Sequence, residues 1–281
     1  MRTKNLVYVS LLLGSLMFVG AGCGQKTSVS TDAATGSNAA PAANKQPAPA
    51  PAEVSSTTTS DSCGNPYYPF KPGLTITYTV TPPVPGDSDH TMRIEKVTGN
   101  TASIHTEMDG GTTDLEAECA NGSIVMKGSL DSGPAGQGTK YKATVVAPTG
   151  IFMPADARVG STWKNSGTLK MEPISGTASD SDPGAFLVTS TEQGRAVSEE
   201  SVTVPAGTFQ ALKVELTTTS IMDFSNSPAY KDLPPEMKPP STLEQTWTST
   251  EWWVKGVGMV KTTTKREDRS ATTVAKSITG L

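Results

Sequence analysis

The chain beyond residue 62 alternates hydrophobic and polar residues with the period of β-strands. Leu74, Ile76, Tyr78 and Val80 alternate with a threonine at each intervening position. Because successive side chains of a strand point to opposite faces of the sheet, this pattern predicts a strand with one buried face and one face in water. The same period recurs at residues 92–94, 102–108, 115–119, 141–145, 212–216 and 259–264.

Turn signals separate the first of these strands at short intervals. Glycine occurs beside asparagine or aspartate at residues 99–100, 109–111 and 121–122, which is typical of consecutive hairpins. No window beyond residue 62 shows the period of an amphipathic helix. We therefore predict an all-β fold, an antiparallel, hairpin-rich sheet that forms a half-barrel or a sandwich. The proline-rich residues 227–241 predict a surface excursion between two strands.

The number of domains stays open at this point. Residues 69–73 and 154–160 each bring proline and glycine together ahead of a predicted strand that carries a large aromatic residue. The two spacings differ, so the pattern does not establish a duplication. Residues 63–281 form either one β-rich domain or two β subdomains that meet near residues 148–160.

Residues 1–22 have the composition of a secretory signal peptide. Arg2 and Lys4 precede an uncharged apolar run at residues 6–19, which is shorter than the ~20 residues of a membrane-spanning helix. Small residues then precede Cys23, an arrangement that resembles the lipobox of bacterial lipoproteins, although Gly20 stands where that pattern usually has an aliphatic residue. The resemblance implies cleavage before Cys23 and acylation of Cys23, palmitate included. It also implies membrane anchoring in the bacterial cell envelope, with the domain outside the cytoplasm; ordinary secretion is the alternative.

Residues 23–62 predict a disordered tether behind that cysteine. Val29 and Val54 are the only large aliphatic residues after Cys23 in this segment, and it has no aromatic residue. Such a composition buries too little apolar surface to offset the entropy of ordering the chain.

Charge excludes one class of partner. The chain has 23 basic and 27 acidic residues, and removal of Arg2 and Lys4 with the signal peptide makes the balance more acidic. No cluster of Lys or Arg stands out, so we expect no nucleic-acid partner and no electrostatic binding to anionic lipid. We expect attachment to the membrane through the lipid on Cys23 instead.

The remaining cysteines form an even pair. With Cys23 acylated, Cys63 and Cys119 are left in an oxidising compartment, which predicts a disulfide. Cys119 follows Leu115 and Ala117 at alternate positions, so the bridge would join the start of the domain to its fourth strand. Two unpaired thiols are the alternative.

Two later segments carry a family resemblance. Residues 202–215 read VTVPAGTFQALKVE and residues 252–261 read WWVKGVGMVK, and each predicts a hairpin. Together with YYPFKPG at residues 67–73, they resemble a broad group of uncharacterised bacterial extracytoplasmic β-proteins, many of them lipoproteins. The resemblance implies a fold and a location, and it assigns no chemistry.

Catalytic patterns are weak throughout the chain. His90 and His105 are the only histidines, and no G-x-S-x-G elbow presents a serine to either of them. Residues 161–164 match S-x-x-K within a predicted strand, and residues 133–140 approach a phosphate loop without a following helix. We interpret both as chance matches and predict no catalytic residue.

Metal patterns are equally incomplete. Residues 180–184 hold two aspartates without the rest of a calcium loop, and Asp87 and Asp89 precede His90 in another acidic turn. We interpret both as solvated turns. We predict no metal site and no cofactor.

The tryptophans are the remaining candidates for ligand contact. Trp247 and Trp253 share one face of a predicted strand, whereas Trp252 points to the other face. At least one of the three would be exposed or covered by another element, and an exposed indole would stack on a sugar or an acyl chain. Packing in the core is the alternative.

The sequence leaves two classes of function. The first is a non-enzymatic, lipid-anchored module that binds a lipophilic or protein partner or serves the envelope structurally, with a hollow half-barrel that carries lipid as one version. The second is an envelope hydrolase that uses His90 or His105 in an unrecognised site.

Overall fold

The computed structural model describes residues 63–82, 89–108, 111–127, 129–132, 141–174, 184–267 and 269–281. Its strands are β1 (Thr75–Thr81), β2 (His90–Thr98), β3 (Thr101–Met108), β4 (Gly111–Ala120), β5 (Ser123–Lys127), β6 (Ser129–Ser132), β7 (Tyr141–Gly150), β8 (Thr162–Pro173), β9 (Phe186–Val204), β10 (Gly207–Asp223), β11 (Thr242–Val254), β12 (Gly258–Arg266) and β13 (Arg269–Thr279). The helical structure of the described residues is one turn, α1 (Pro228–Lys231), and a 3-10 turn (Pro235–Met237). None of it has the length and hydrophobicity that a membrane crossing requires.

All strands belong to one antiparallel sheet. Its order is β5-β4-β3-β2-β1-β13-β12-β11-β10-β9-β8-β7-β6, so strands that follow one another in the chain are neighbours, apart from β5 with β6 and the additional β1–β13 pair. The predicted all-β, hairpin-rich meander is therefore confirmed. The sheet continues from β7 to β8 across residues 148–160. A division into subdomains at that point stays a prediction.

The sheet curls until its two ends meet. β5 and β6 lie at opposite ends of the strand order, yet only residue 128 separates them in the chain. Lys127 pairs with Glu116 of β4, whereas Ser129 pairs with Thr144 of β7. The chain thus changes partner strands between Lys127 and Ser129, which brings the two ends of the strand order together in a barrel-like sheet.

The predicted hairpins have the expected turns. Val204 ends β9 and Gly207 begins β10, so the turn of the first motif is residues 205–206. In the second motif, Gly256 has a φ of 74° and Gly258 a φ of 114°, which glycine adopts without steric cost. The proline-rich residues 227–241 leave the sheet between β10 and β11, as predicted, and contain both helical turns.

The segment before β1 packs into the core. Tyr67 and Phe70 are both 2% exposed, and the Tyr68 ring lies 6.0 Å from that of Trp253. Asn65 holds this segment in place, since its Oδ1 accepts from the Tyr67 and Tyr68 amides and its Nδ2 donates to the Gly122 carbonyl at 2.8 Å. The segment before β1 is therefore part of the core rather than a free lead-in.

The predicted disulfide is confirmed. Cys63 and Cys119 are bridged with their Cα atoms 5.4 Å apart, and Cys119 lies near the end of β4, the fourth strand. Leu115, Ala117 and Cys119 are all buried on the same face of that strand, as the alternation predicts. The bridge thus joins the first described residue to β4, the second strand from one end of the strand order.

Candidate functional site

The buried face of the sheet is unusually polar over β8 to β13. Its polar side chains alternate along their strands with exposed positions and share the buried face with core residues such as Val188, Leu216 and Val260. We call these side chains the polar interior: Asn165, Ser190, Glu192, Thr218, Ser220, Ser249, Glu251, Thr262, Thr264 and Thr273. Most buried strand faces are apolar, because a buried polar group is costly unless it finds a partner.

One row of the polar interior crosses five strands. Asn165 pairs with Glu192, Glu192 with Thr218, and Thr218 with Trp247. Arg266 continues the row, with its guanidinium carbon 4.3 Å from the centre of the Trp247 ring. Thr218 Oγ1 donates to Glu192 Oε2 at 3.4 Å. A carboxyl group and a half-buried guanidinium therefore lie on the same row, with an indole between them.

A second row lies further along the same strands. Glu251 of β11 pairs with Thr262 of β12, and Thr262 pairs with Thr273 of β13. The indole Nε1 of Trp253 donates to Glu251 Oε2 at 2.8 Å and so orients the carboxylate. Glu251, Thr262 and Thr273 are each at most 1% exposed. This row places one carboxylate and two hydroxyl groups side by side, away from solvent.

Burial changes the acidity of groups in the polar interior. Burial, together with the charge of Glu251, raises the pKa of Glu192 to about 8, although the hydrogen bond from Thr218 opposes the shift. Burial also raises the pKa of the Tyr78 hydroxyl, with smaller contributions from Tyr68 and Glu251. Glu192 is therefore mostly protonated at neutral pH, when it can both donate and accept a hydrogen bond.

Several polar atoms of this region lack a protein partner. Among the described residues, Trp247 Nε1, Thr262 Oγ1 and Thr273 Oγ1 are buried without a hydrogen bond, as is Nε1 of Trp163. Such atoms cost about 1–3 kcal/mol each when nothing satisfies them. Thr262 and Thr273 belong to the second row and Trp247 belongs to the first. The unsatisfied groups therefore concentrate on the rows that contain the carboxyl groups. A bound molecule or ion in this interior would satisfy them.

The structure buries all three tryptophans proposed as ligand contacts. Trp247 and Trp253 are 3% and 4% exposed. Trp252 lies on the opposite face of β11 from Trp247 and Trp253. Lys213 and Lys261 lie over its ring, and its Nε1 donates to Glu200 at 2.8 Å. None is an open stacking platform. Contact of Trp247 or Trp253 with a ligand inside the sheet stays a prediction.

The histidines lie outside the polar interior. His105 Nδ1 is 2.6 Å from Asp114 Oδ1, and this hydrogen bond raises the pKa of the imidazole. Among the described residues, Glu95, His105 and Asp114 form the group whose potential metal-ligand atoms lie within 4.8 Å of one another, on a solvent-facing ladder of β2, β3 and β4. The His90 ring stacks on Tyr78 with centroids 4.9 Å apart.

Other candidates from the sequence have ordinary roles or lie outside the described residues. Asp89 Oδ1 accepts from the Val80 amide and so completes the pairing of β1. Ser161 Oγ accepts from the Arg158 amide, a turn contact unrelated to an S-x-x-K site. Outside the described residues lie the signal peptide at 1–22, Cys23, the tether up to residue 62, Asp87, the glycine-rich residues 133–140, and 180–183.

The sequence pattern alone did not single out Glu192 and Glu251. Both look like solvent-face glutamates in threonine-rich strands. The overlooked signal was parity, because Glu192 lies at an even spacing from the buried Phe186 and Val188. Glu251 likewise lies four residues from Trp247 on one strand. Alternation therefore placed both acids on the buried face, where a carboxyl group is rare enough to mark a candidate site.

Comparison with known proteins gives two structural similarities. No family model and no curated protein matches the sequence. A structure from Bacteroides fragilis NCTC 9343, provisionally described as an exported protein with a YmcC-like fold, covers 76% of this chain and 98% of its own at 13% identity and a TM-score of 0.46. A structure from Parabacteroides distasonis ATCC 8503, provisionally described as a lipoprotein, has the same coverage at 16% identity and a TM-score of 0.45. Scores this low carry no argument about function.

Proposed function

We propose that this protein is a lipid-anchored, extracytoplasmic binding module that holds a polar ligand in its polar interior. The observation that carries the binding role is the curled sheet whose buried wall contains two glutamates and unpartnered polar atoms. The location is supported by the signal-peptide pattern of residues 1–22 and by the cysteine that follows it.

The chemistry of the wall favours a polar ligand over an acyl chain. An acyl chain beside Glu192, Glu251 and Thr262 would leave the Thr262 hydroxyl without a hydrogen bond and would offer none to the carboxyl groups. A polar molecule or ion would supply partners instead. The half-barrel lipid carrier considered from the sequence is thus the less favoured version of a binding module.

A binding role is also favoured over a hydrolytic one. His105 is held by Asp114 on the solvent face of β3, away from the buried glutamates. Glu192 has a raised pKa suited to a general acid, yet its hydrogen-bond partner is the hydroxyl of Thr218. A buried acid whose neighbour is a hydroxyl group is suited to hydrogen-bonding a polar ligand.

We expect the mature chain to begin at an acylated Cys23. The lipobox resemblance implies that acylation and cleavage depend on this thiol, so Cys23→Ala should carry no acyl chain. Mass spectrometry of the N-terminal peptide of the membrane-extracted protein measures both. Cys63→Ala is the matched control and should keep the acyl group. An unacylated wild-type N-terminus would contradict the anchor.

We expect the purified full mature chain to retain one polar molecule or ion. Denaturing the protein and analysing the released fraction by mass spectrometry and elemental analysis identifies it. Glu251→Gln should lower the amount retained, whereas Glu244→Gln, an exposed position on the same strand, should not. A stoichiometric acyl species would instead favour the lipid carrier, and no released species from a folded chain would contradict a binding role.

A further inference from the structure

We infer that the second row of the polar interior, formed by Glu251, Thr262 and Thr273, is a binding site for a hard divalent cation of the calcium type. This inference rests on the proposed function and names the class of ligand. The structure places one carboxylate and two hydroxyl groups on adjacent strands, in register and away from solvent.

The unpartnered hydroxyl groups point to a ligand rather than to a structural network. Elsewhere in the polar interior, hydroxyl groups satisfy one another: Ser249 and Thr264 lie 3.0 Å apart, and Ser190 donates to Ser220 at 3.3 Å. Thr262 and Thr273 face each other across the same sheet without such a bond. A threonine in a strand gains nothing from a buried, unsatisfied hydroxyl, because valine has nearly the same shape without that cost.

The donor set selects a hard cation. The row offers carboxylate and hydroxyl oxygen, which suit calcium or magnesium, and neither imidazole nor thiolate, which suit zinc and copper. Calcium accepts irregular coordination completed by water, whereas magnesium demands nearly octahedral geometry and loses its water reluctantly. The second row, whose side chains come from three strands of a curved sheet, therefore suits calcium better than magnesium.

The charges around the row favour a cation as well. Among the described residues, Tyr78 interacts with Glu251, and burial raises the pKa of its hydroxyl, so Tyr78 is uncharged at neutral pH. Arg266 lies on the first row, over Trp247. A divalent cation beside the buried Glu251 carboxylate would offset the cost of removing that charge from water.

The test measures calcium binding to the full mature chain by isothermal titration calorimetry, after dialysis against a chelator. We expect one site of about millimolar or tighter affinity, the range of extracellular calcium modules. The variant Thr262→Val/Thr273→Val should bind at least about tenfold more weakly, because it removes both hydroxyl ligands. It should still fold, since it removes unsatisfied buried groups and keeps their shape.

The matched control is Thr263→Val, the neighbouring position of β12 whose hydroxyl bonds Thr272 on the outer face. It should bind calcium as the wild type does. Equal affinity in the control and in the double variant would assign the calcium to surface carboxylates and overturn the inference, as would no binding at all. Retention of a different polar molecule by a chain that binds no calcium would overturn this inference alone and leave the proposed function standing.

Discussion

Glu192→Gln is expected to stabilise the protein at neutral and alkaline pH by on the order of 4 kcal/mol, and to leave it nearly unchanged at pH 4. Glu192 is 3% exposed and its pKa is raised to about 8. Glutamine keeps the carbonyl oxygen that accepts from Thr218 and cannot ionise. The variant therefore removes the cost of keeping Glu192 protonated at neutral pH, or of burying its carboxylate above pH 8, while it preserves the packing.

The direction of this pH dependence follows from the number of protons bound by the folded protein and by the unfolded chain. In the unfolded chain Glu192 titrates near its ordinary value of 4.5, and in the folded protein it titrates near 8. Between these values the folded protein keeps a proton that the unfolded chain has released. The contribution of Glu192 to the free energy of unfolding is thus fully present below pH 4.5. Between pH 4.5 and pH 8 it falls by about 1.4 kcal/mol per pH unit, and it levels off above pH 8.

Urea unfolding between pH 4 and pH 9, with a chelator present, measures this dependence. The wild-type free energy of unfolding should fall through the window relative to that of Glu192→Gln, and the two curves should converge at acid pH. Glu199→Gln, an exposed position on the same strand, is the control and should run parallel to the wild type. Parallel curves for Glu192→Gln would show that Glu192 ionises freely in the folded protein.

Most of the strands were predictable from sequence because each of them carries its own local signal, whereas β6 and β13 were not among the predicted strands. The threonine alternation of β1, the VPAG turn between β9 and β10 and the glycines around Val257 all have a local physical cause. The closure of the sheet was not predictable in this way. Closure depends on the pairing of β6 with β7. No local sequence pattern around residue 128 indicates which strand will pair with the residues that follow it.

The candidate site was hidden for a related reason. Whether a strand face is buried depends on what the sheet encloses, and a polar residue at a buried position looks the same in sequence as one at an exposed position. Thr218 and Thr219 illustrate the point, since the first is 2% exposed inside the sheet and the second bonds Thr246 on the outer face. The abundance of threonine thus concealed a polar interior behind an apparently ordinary solvent face.

Replacing both Cys63 and Cys119 with alanine is expected to lower the free energy of unfolding by about 4 kcal/mol, if the loss of the loop constraint dominates. The bridge closes a loop with a sequence separation of 56 residues, and chain-entropy estimates for that length give this magnitude. Urea unfolding at one pH, compared with the oxidised wild type, measures the loss. The reduced wild type should match the double variant, because both lack the same constraint.

The position of the disulfide determines which part of the protein loses stability first when the bridge is removed. The disulfide, the Asn65 hydrogen bonds and the packing of Tyr67 hold the same segment, so without the bridge this segment should open before the sheet does. Hydrogen exchange should therefore show faster exchange at the amides of Tyr67 and Tyr68 in the double variant, and unchanged exchange in β10 under conditions far from global unfolding. Uniform acceleration over the whole sheet would mean that the bridge acts on the unfolded chain alone. An unchanged free energy of unfolding would contradict the constraint itself.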